Sequence, residues 1–542
     1  MVYSPDYEDL IYRLKEGGEH VPLQLFENAE QVKAAAQAIR ANTTSSRMIL
    51  IAGRTTDILT EAQAAAAENG YPDLEWEPLL DVLGHRENLK EIVILGNDHH
   101  RYRELEVPHH IVAFLRTQLF SALKRNPNVR QLVLWDDLDL ANTISTTAAG
   151  ESDLVDFLKG APSLQQLSLW WCRGRDETFT RLTNALQVNK TLQTLSLAGL
   201  RDGHAGIILG GLTTSGNQSS IRELHYKPDR MELPNLQPDG SYLEPFPSIE
   251  RYLRSRTCAI TNLQLSDMYL SEALLRSVSA NANLRTLIFK GFCSGPAVNL
   301  AHPEVGQEAL AACLSSTHLL HLRIDNCHTL LAQPFVRHAL CGALRRPNSS
   351  PLSLDISLHR PHGPWEPGTG ELLEAFSKSS RLKCLRIKTD RTSFNVPTLV
   401  KAIPSLRVDR FTVVHELSHQ AVSEKDSMDL IQAAGKNLNF KKVDVELGRV
   451  SGSLIGYKEK HLKFCEDRNA KLVKWRVRHK SVPTKLQCYA LAMASRAGTD
   501  HLYRTLLAVA PVLPKHGDRV LADRRKEGGI KRQRTMPGAQ DG

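Results

Sequence analysis

Two nine-residue stretches in the middle of the chain share the same spacing of leucine. Residues 164–172 read LQQLSLWWC, and residues 192–200 read LQTLSLAGL. Both have leucine at the first, fourth and sixth positions, a template that can be written L-x-x-L-x-L. Alternate side chains of a β-strand point to the same side, so the last two leucines of each copy lie on one face of a short strand. That face is predicted to be buried.

The template recurs along most of the chain, with other apolar residues sometimes replacing leucine. Twelve copies occur, and the distance from the first anchor at Leu89 to the last at Phe440 gives a period of about 32 residues. The copies lie at 89–94, 129–134, 164–169, 192–197, 221–226, 260–265, 284–289, 319–324, 354–356, 382–387, 408–413 and 440–445. A repeat of this length is typical of a solenoid, in which each unit buries its apolar face against its neighbours.

The segments between the copies carry helical patterns. Residues 176–187 read DETFTRLTNALQ, in which Phe179, Leu182 and Leu186 fall on one side of a helix. Asparagine lies between helix and strand at Asn189 and Asn281, where turn-forming residues belong. The predicted fold class is therefore α/β: a curved solenoid with parallel strands on the concave face and helices on the convex face. Further helices are expected at 271–279, 305–314 and 370–377.

A further position supports this repeat. Asn97, Cys172 and Cys327 each stand three residues after the last template position of their copy. With this feature the chain resembles the leucine-rich-repeat family, and within it the ribonuclease-inhibitor-like class, over residues 80–450. The resemblance implies a horseshoe with an α-helix in each repeat, inward-facing Asn or Cys side chains at that position, and a role in binding another protein.

Four segments are predicted along the chain. Residues 1–80 form an N-terminal cap, or two degenerate repeats, with strands over 21–26 and 47–52 around an alanine-rich helix capped by Asn28. Residues 81–450 form the solenoid of about twelve repeats. Residues 451–513 form a C-terminal helical cap, with helices at 483–496 and 501–510, and residues 514–542 form a basic disordered tail.

Charge is distributed unevenly along the chain. The chain has 68 basic and 59 acidic residues, a net charge of +9. The segment from Lys458 to Arg534 alone holds 20 basic and 7 acidic residues. This asymmetry is compatible with a solvated tail, and also with an acidic partner or nucleic acid bound through the C-terminus. The clusters around Arg525 and Arg532 resemble a bipartite nuclear-import signal.

Composition excludes several classes of protein. No apolar run approaches the roughly 20 residues that span a bilayer, so no membrane insertion is expected. The first ten residues lack the basic region of a secretory signal. The nine cysteines include no CxxC pair and indicate buried free thiols in a reducing compartment, so we expect a cytoplasmic or nuclear protein. The sequence lacks a GxxxxGK[ST] loop and a GxSxG motif, and no cofactor or small-molecule substrate is expected.

One motif points to a different function. His415, Glu416 and His419 spell HExxH, which in zinc hydrolases places two histidine ligands one helical turn apart, with glutamate activating water. A third ligand is missing, because Leu438 and Val422 stand where two such enzyme types need Glu and Gly. The motif also follows the strand of the eleventh copy directly. We interpret it as a chance occurrence without metal, and a zinc-dependent hydrolase stays the alternative.

The residues between the template leucines point to the concave face. In adjacent parallel strands these positions line up about 4.8 Å apart. The early repeats then present an apolar cluster and the later ones a charged cluster, and exposed clusters of this kind mark binding sites. The predicted partner-binding residues are Val93, Leu95, Val133, Trp135, Trp170, Trp171, Arg323, Asp355, Arg386 and Lys388.

Together these patterns predict a non-catalytic intracellular scaffold that binds another protein on its concave face. Trp135 and Trp170 would be the anchors, with their rings in contact, since they hold the same position in neighbouring repeats. Alternatively, a cap loop at 99–106 covers both tryptophans and makes them local core. An adaptor that uses the basic C-terminus to contact an acidic partner or nucleic acid is a third possibility.

Overall fold

The computed structural model describes most of the chain in two compact units. The first unit comprises residues 1–395 and 413–418, and the second comprises residues 396–412 and 419–542. The described residues are 7–23, 26, 28–52, 74–96, 109–135, 138, 140, 144, 154–213, 220–229, 247–268, 270–291, 303–314, 316, 318–325, 334–345, 351–358, 368–389, 396–415, 424–446 and 452–478.

Short strands recur throughout these residues, and each of the twelve template copies forms one. The strands are β1 His20–Pro22, β2 Arg47–Ile51, β3 Glu91–Leu95, β4 Gln131–Trp135, β5 Gln166–Trp170, β6 Thr194–Leu200, β7 Glu223–Pro228, β8 Asn262–Ser266, β9 Thr286–Lys290, β10 His321–Asp325, β11 Ser353–Leu358, β12 Cys384–Thr389, β13 Arg410–His415 and β14 Lys442–Glu446. The boundary between the two units passes through β13.

Helices alternate with the strands. They are α1 Tyr7–Lys15, α2 Ala29–Ala41, α3 Glu77–His85, α4 His109–Ala113, α5 Phe120–Arg125, α6 Leu154–Gly160, α7 Asp176–Val188, α8 Asp202–Thr213, α9 Pro247–Arg254, α10 Glu272–Ala280, α11 Pro303–Leu314, α12 Pro334–Arg345, α13 Gly368–Lys378, α14 Val396–Ala402, α15 Glu424–Lys436 and α16 Gly452–Arg478. A π-helical turn, Phe114–Leu119, joins α4 to α5, and a 3-10 turn, Ile403–Ser405, follows α14.

In the first unit the strands follow one another in sequence order. Every neighbouring pair from β1 to β12 is parallel. Leu167 of β5 pairs with Leu195 of β6, so equivalent template positions stand side by side. Parallel neighbours need a crossover between them, which the intervening helices supply. The predicted α/β leucine-rich-repeat solenoid is confirmed.

The core of the first unit is built from the inward template positions. Leu132, Leu167, Leu195 and Leu287 are all fully buried, and successive strands place them in one row. The helices bury their apolar stripes on the same side, as Phe179 and Leu182 of α7 show. No single repeat could exclude water from this row alone, so each repeat depends on its neighbours.

A second row, made of asparagines, runs along the ends of the helices. Asn126 ends α5, and its side chain donates to the carbonyls of Leu83 and Arg86 in the preceding repeat, at 2.8 and 3.0 Å. Asn189 and Asn281 make the equivalent bonds to Leu158 and Leu253. Their side-chain oxygens accept from backbone amides two residues further on. Buried backbone groups of one repeat are thus satisfied by the next.

In the second unit, α16 makes hydrogen bonds of the same kind. Asn469 of α16 donates to the carbonyls of Asn437 and Phe440 at 3.1 and 2.6 Å. Arg468 beside it donates to the Gly435 carbonyl at 2.9 Å. In that unit α16 therefore satisfies backbone carbonyls at the end of α15 and in the turn before β14. No helix in the described part of the chain is both long and apolar enough to span a bilayer.

The N-terminal region differs in detail from the sequence expectation. Asn28 caps α2 by accepting a hydrogen bond from the Gln31 amide, as predicted. The strand expected over residues 21–26 is shorter, His20–Pro22. β1 and β2 pair in parallel, and β2 pairs with β3, so the sheet begins before residue 81. The helices expected at 483–496 and 501–510, and the tail at 514–542, lie outside the described residues.

The leucine row predicts the cost of removing one of its members. Leu195→Ala should lower the free energy of unfolding by roughly 2–5 kcal/mol, because Leu195 is fully buried between neighbours on β5 and β7. Urea unfolding followed by circular dichroism measures this change. Gln193→Ala, at an exposed position two residues away, serves as the control. An unfolding curve for Leu195→Ala that matches the control would show that the core is misplaced.

The asparagine row leads to a second stability prediction. Asn189→Ala should lower the free energy of unfolding by about 1–3 kcal/mol, because it strips hydrogen bonds from the Leu158 carbonyl and from the amides of Thr191 and Leu192. Lys190→Ala changes the exposed neighbour and should stay within about 0.5 kcal/mol of wild type. Equal stability of the two variants would refute a structural role for the row.

Candidate partner-binding surface

The candidate surface is the open face of the sheet in the first unit, which is the side opposite the leucine row. Two rows of side chains cross it, and strand register sets their order. The first row contains Ile49, Val93, Val133, Ser168, Ser196, His225, Gln264, Ile288, Arg323, Asp355 and Arg386. The second contains Ile51, Leu95, Trp135, Trp170, Ala198, Lys227, Ser266, Lys290, Asp325, Ser357 and Lys388.

Two of the apolar residues predicted to bind a partner are buried. Val93 and Val133 are 1% and 7% exposed, and with Ile49 they form a compact apolar cluster on the open face. Ile51, Leu95 and Trp135 pack around this cluster. The prediction that Val93 and Val133 offer surface to a partner is therefore wrong, because larger apolar side chains on β2, β3 and β4 pack around them.

The contribution of β2 could not be read from the template. Ser45 stands where its first leucine would be, so the sequence predicts β2 as part of a cap or of a degenerate repeat. The one signal is the unbroken apolar run at 48–51 (MILI): alternate residues of a strand point to opposite faces, so Ile49 and Ile51 would lie on the face opposite Met48 and Leu50. Leu95 and Trp135 stay partly exposed at the edge of the cluster.

Three tryptophans continue the apolar area toward β5 and form a tryptophan cluster, defined as Trp135, Trp170 and Trp171. The rings of Trp135 and Trp170 lie 5.1 Å apart, centroid to centroid, at 70°. The rings of Trp170 and Trp171 lie 6.3 Å apart at 89°. Both arrangements are edge-to-face, which aromatic quadrupoles favour. The expected contact between Trp135 and Trp170 is present, and the cap loop at 99–106 lies outside the described residues.

Two rings of the cluster, those of Trp170 and Trp171, are held in place by further contacts. The Trp170 indole donates to the Ser196 hydroxyl at 3.0 Å. Trp171 has a φ of +52°, a left-handed conformation that is costly for a bulky residue. A Cβ at Gly199 would stand 2.1 Å from Cδ1 of Trp171, so only glycine leaves room for this ring. The fold therefore accepts backbone strain in order to turn Trp171 along the open face.

A pocket adjoins the cluster on β5–β9 and is called the lysine pocket, after Lys227 and Lys290 in its wall. Its cavity measures ≈200 Å³ and is lined by side chains that include Trp170, Trp171 and Ser266. The Lys227 ammonium lies 5.3 Å from the centroid of the Trp171 ring and 2.7 Å from Asp267. A cation over an aromatic face is favourable, and the carboxylate fixes its position.

At the other end of the face, four predicted charged residues come together in a charge network. It comprises Arg323, Asp325, Asp355, Ser357, Arg386 and Lys388. Asp325 is its centre: it accepts from Lys388 at 3.0 Å, from Ser357 at 2.9 Å and from Arg323 at 2.5 Å. Arg323 also approaches Asp355 at 3.7 Å, and Asp355 pairs in register with Arg386.

The electrostatics of the network follow from burial and pairing. Burial alone would raise the pKa of Asp325, but hydrogen bonds from Lys388 and Ser357 and the charge of Arg323 outweigh it and lower that pKa to about 2. Burial raises the pKa of Asp355, against the opposing charges of Lys388, Arg323 and Arg386. Asp325 therefore stays ionised as the buried counterion of the network.

Lys388 does not present its charge to solvent as predicted. Its side chain is 9% exposed and Asp325 is 8% exposed, so the two form a buried ion pair. The pairing spans 63 residues of sequence. Arg323, in contrast, is 40% exposed. Asp325 and Ser357 were not predicted as members of the site, although the second row of the template contains both.

The described residues contain no site that would support the zinc hypothesis. His415 ends strand β13, whereas the zinc motif needs both histidines on one helix. Glu416 and His419 lie outside the described residues. Within the described ranges no group of three or more His, Cys, Asp or Glu side chains is placed to bind a metal.

The described cysteines are free thiols and most are buried. Cys172 donates to the Leu134 carbonyl at 3.3 Å, in the inward position that the family resemblance implies, whereas Asn97 and Cys327 lie outside the described residues. Burial raises the pKa of Cys313 to about 12 and that of Cys341 to about 11. These two thiols stay protonated near neutral pH and are poor nucleophiles.

Comparisons with known proteins give only distant structural likenesses. No family model matches the chain, and no curated protein matches it. Among 67 matching chains of solved structures is TLR13, in the crystal structure of a TLR13–ssRNA13 complex, at 12% identity and a TM-score of 0.30. The match covers 75% of the present chain and 54% of TLR13, so the chain spans about half the length of that protein.

A second matching structure is an internalin, inlF, from Listeria monocytogenes, at 14% identity and a TM-score of 0.23. The match covers 76% of the present chain and 98% of the internalin. Overlaps of this quality do not indicate what the present chain binds.

Proposed function

We propose that the protein is a non-catalytic scaffold that binds another protein on the open face of its sheet. The observation that carries the proposal is the tryptophan cluster. The Trp170 ring contacts the rings of both Trp135 and Trp171, and all three residues are only partly buried on the face of the sheet opposite the leucine row. Tryptophan is enriched among residues that dominate binding energy, because a large rigid ring loses little entropy when it is covered.

The two ends of the face have different roles in this proposal. The buried cluster of Ile49, Val93 and Val133 supports the rings from one side, so the anchors sit on a rigid base. The charge network is mainly structural, since its central pair, Asp325 and Lys388, is withdrawn from solvent. Arg323 and Arg386 are left to contact a partner, and charges at such a rim favour encounter and orientation.

The remaining sequence-based assignments belong to the same proposal. An α-helix in most repeats supports the ribonuclease-inhibitor-like class. Buried free thiols support a reducing, cytoplasmic or nuclear environment. We keep the division into a cap (1–80), the solenoid (81–450), a helical cap (451–513) and a basic tail (514–542), with the tail available to an acidic partner or nucleic acid.

The tryptophan cluster leads to a test of function. Trp170→Ala should weaken binding of the partner by about 2 kcal/mol, roughly 30-fold, while leaving the protein folded, because Trp170 lies outside the leucine row. Affinity capture from native lysate with wild-type protein and the variant measures this loss. Tyr12→Ala removes an aromatic ring that is exposed on α1 and serves as the matched control.

The same experiment separates binding from folding. If Trp170→Ala unfolds the protein at physiological temperature, the tryptophans are structural and the proposed surface is wrong. If the variant stays folded and captures the same proteins as wild type and Tyr12→Ala, the binding site lies elsewhere.

The structural role of the charge network leads to a prediction about pH. Asp325 has a pKa lowered from 3.8 to about 2 in the folded chain, so its ionised form stabilises the fold above pH 4. This contribution is lost as the pH falls from about 4 to about 2. The stability difference between wild type and Asp325→Asn should shrink by about 2 kcal/mol over that interval.

Urea unfolding at several pH values measures this difference. In the Lys388→Met background the difference should depend less on pH, because the main partner of Asp325 is gone. A difference that stays constant from pH 6 to pH 2 in both backgrounds would show that the carboxylate is not stabilised by the network.

A further inference from the structure

The lysine pocket is shaped by backbone strain on both sides. Within the described residues, Trp171 and Asp267 are the two non-glycine residues with positive φ, at +52° and +49°, and both line this pocket. Trp171 lies against Gly199 on β6, and Asp267 lies against Gly291, which directly follows β9. A Cβ at Gly199 would meet the Trp171 ring at 2.1 Å, and a Cβ at Gly291 would meet the Asp267 carboxylate at 2.2 Å. Strain of this kind persists where the surrounding structure enforces it, and it clusters at functional sites.

The donors of the pocket stand in one line. Lys227, Ser266 and Lys290 occupy the same row on three consecutive strands, β7, β8 and β9. Ser266 is 8% exposed, and its oxygen accepts a hydrogen bond from Gln264 at 3.1 Å. Its own O–H is then available to an acceptor in the pocket. An ammonium has three N–H donors, so Lys227 can bind Asp267 and still donate to a ligand.

The size and charge of the pocket define the ligand. A cavity of ≈200 Å³ is smaller than the roughly 300–1,000 Å³ of pockets for drug-sized ligands and is suited to a single side chain. Two lysines confront one lining carboxylate, Asp267, and the nearby Glu223 is bonded to His225 at 2.8 Å. Two ammonium groups beside one lining carboxylate suit a ligand with a single negative charge, whereas a chain of phosphates has more negative charge than two lysines can pair.

We propose that the lysine pocket receives one acidic side chain of a protein partner. The carboxylate accepts from Lys290, Lys227 and the Ser266 hydroxyl, and an apolar residue nearby in the partner packs on Trp170. This inference rests on the proposed function and gives it a chemical class of partner: a peptide segment with an aspartate or glutamate close to an apolar anchor. The apolar contact supplies area, and the paired carboxylate supplies selectivity.

A peptide selection on the full-length protein tests the inference. A phage-displayed library of random linear peptides is selected on wild type, and enriched peptides are synthesised with their acidic residue intact or changed to the amide. Peptides with an acid beside an apolar residue should be enriched. The acid-to-amide change should weaken binding to wild type roughly tenfold or more, since it removes charge-assisted hydrogen bonds.

Protein variants then assign the effect to the pocket. In Lys290→Met the same acid-to-amide change should cost less than about twofold. Lys383→Met, at an exposed lysine just before β12, is the matched control and should behave as wild type. Lys290 is itself exposed, so the Lys290→Met variant tests the pocket without disturbing the core.

The outcomes separate this inference from the proposed function. If the enriched peptides bind Trp170→Ala more weakly than wild type but bind wild type equally well as acid and as amide, the surface binds proteins and the acidic-residue proposal is wrong. If no peptide is enriched, or if the enriched peptides bind Trp170→Ala and Lys290→Met as tightly as wild type, both proposals are wrong. If no acidic peptide is enriched and poly(U) binds wild type but not Lys290→Met, the pocket is a phosphate site and the inference is overturned.

Discussion

The contact between leucines on successive strands is the interaction on which the rest of the structure depends. Leu167 and Leu195 stand side by side on β5 and β6, fully buried, and neither repeat could exclude water from them alone. Because this contact fixes the register of each strand pair, it also fixes which residues share a row on the opposite face. The asparagine row extends the dependence to polar groups, since Asn126 and Asn189 satisfy carbonyls of the repeat before them.

Regular stacking of this kind turns a sequence pattern into a surface with two chemically distinct ends. Near β2–β5 the open face is apolar, with the tryptophan cluster at the edge of a buried apolar patch. Near β10–β12 the same rows contain the charge network, in which the buried Asp325 accepts hydrogen bonds from Lys388 and Ser357. Between them lies the lysine pocket, where the aromatic wall of one end meets the charges of the other. A partner that lies across the strands would contact the tryptophan cluster at one end and the basic groups of the lysine pocket beside it.

Strain and burial are concentrated where that surface changes character. Trp171 adopts a left-handed conformation against Gly199, and Asp267 does the same against Gly291. Burial in the core does not compensate for this strain, because both side chains lie on the open face. The strain is offset by contacts along that face. Trp171 contacts Trp170 and Lys227, and Asp267 forms an ion pair with Lys227. Backbone distortion that serves a surface in preference to the core is consistent with a binding role.

The sequence by itself determined the alternation of strand and helix, the parallel order of the strands and the row to which each open-face residue of β3–β12 belongs. These features follow from local periodicity, which is why the contact between Trp135 and Trp170 was predictable. Only the tertiary structure decided which of those residues reach solvent. Val93 and Val133 are buried because Ile51, Leu95 and Trp135 pack around them, and Lys388 is buried because Asp325 lies two strands away. Periodicity sets the direction of a side chain, whereas its exposure depends on the size and charge of neighbours that come from other repeats.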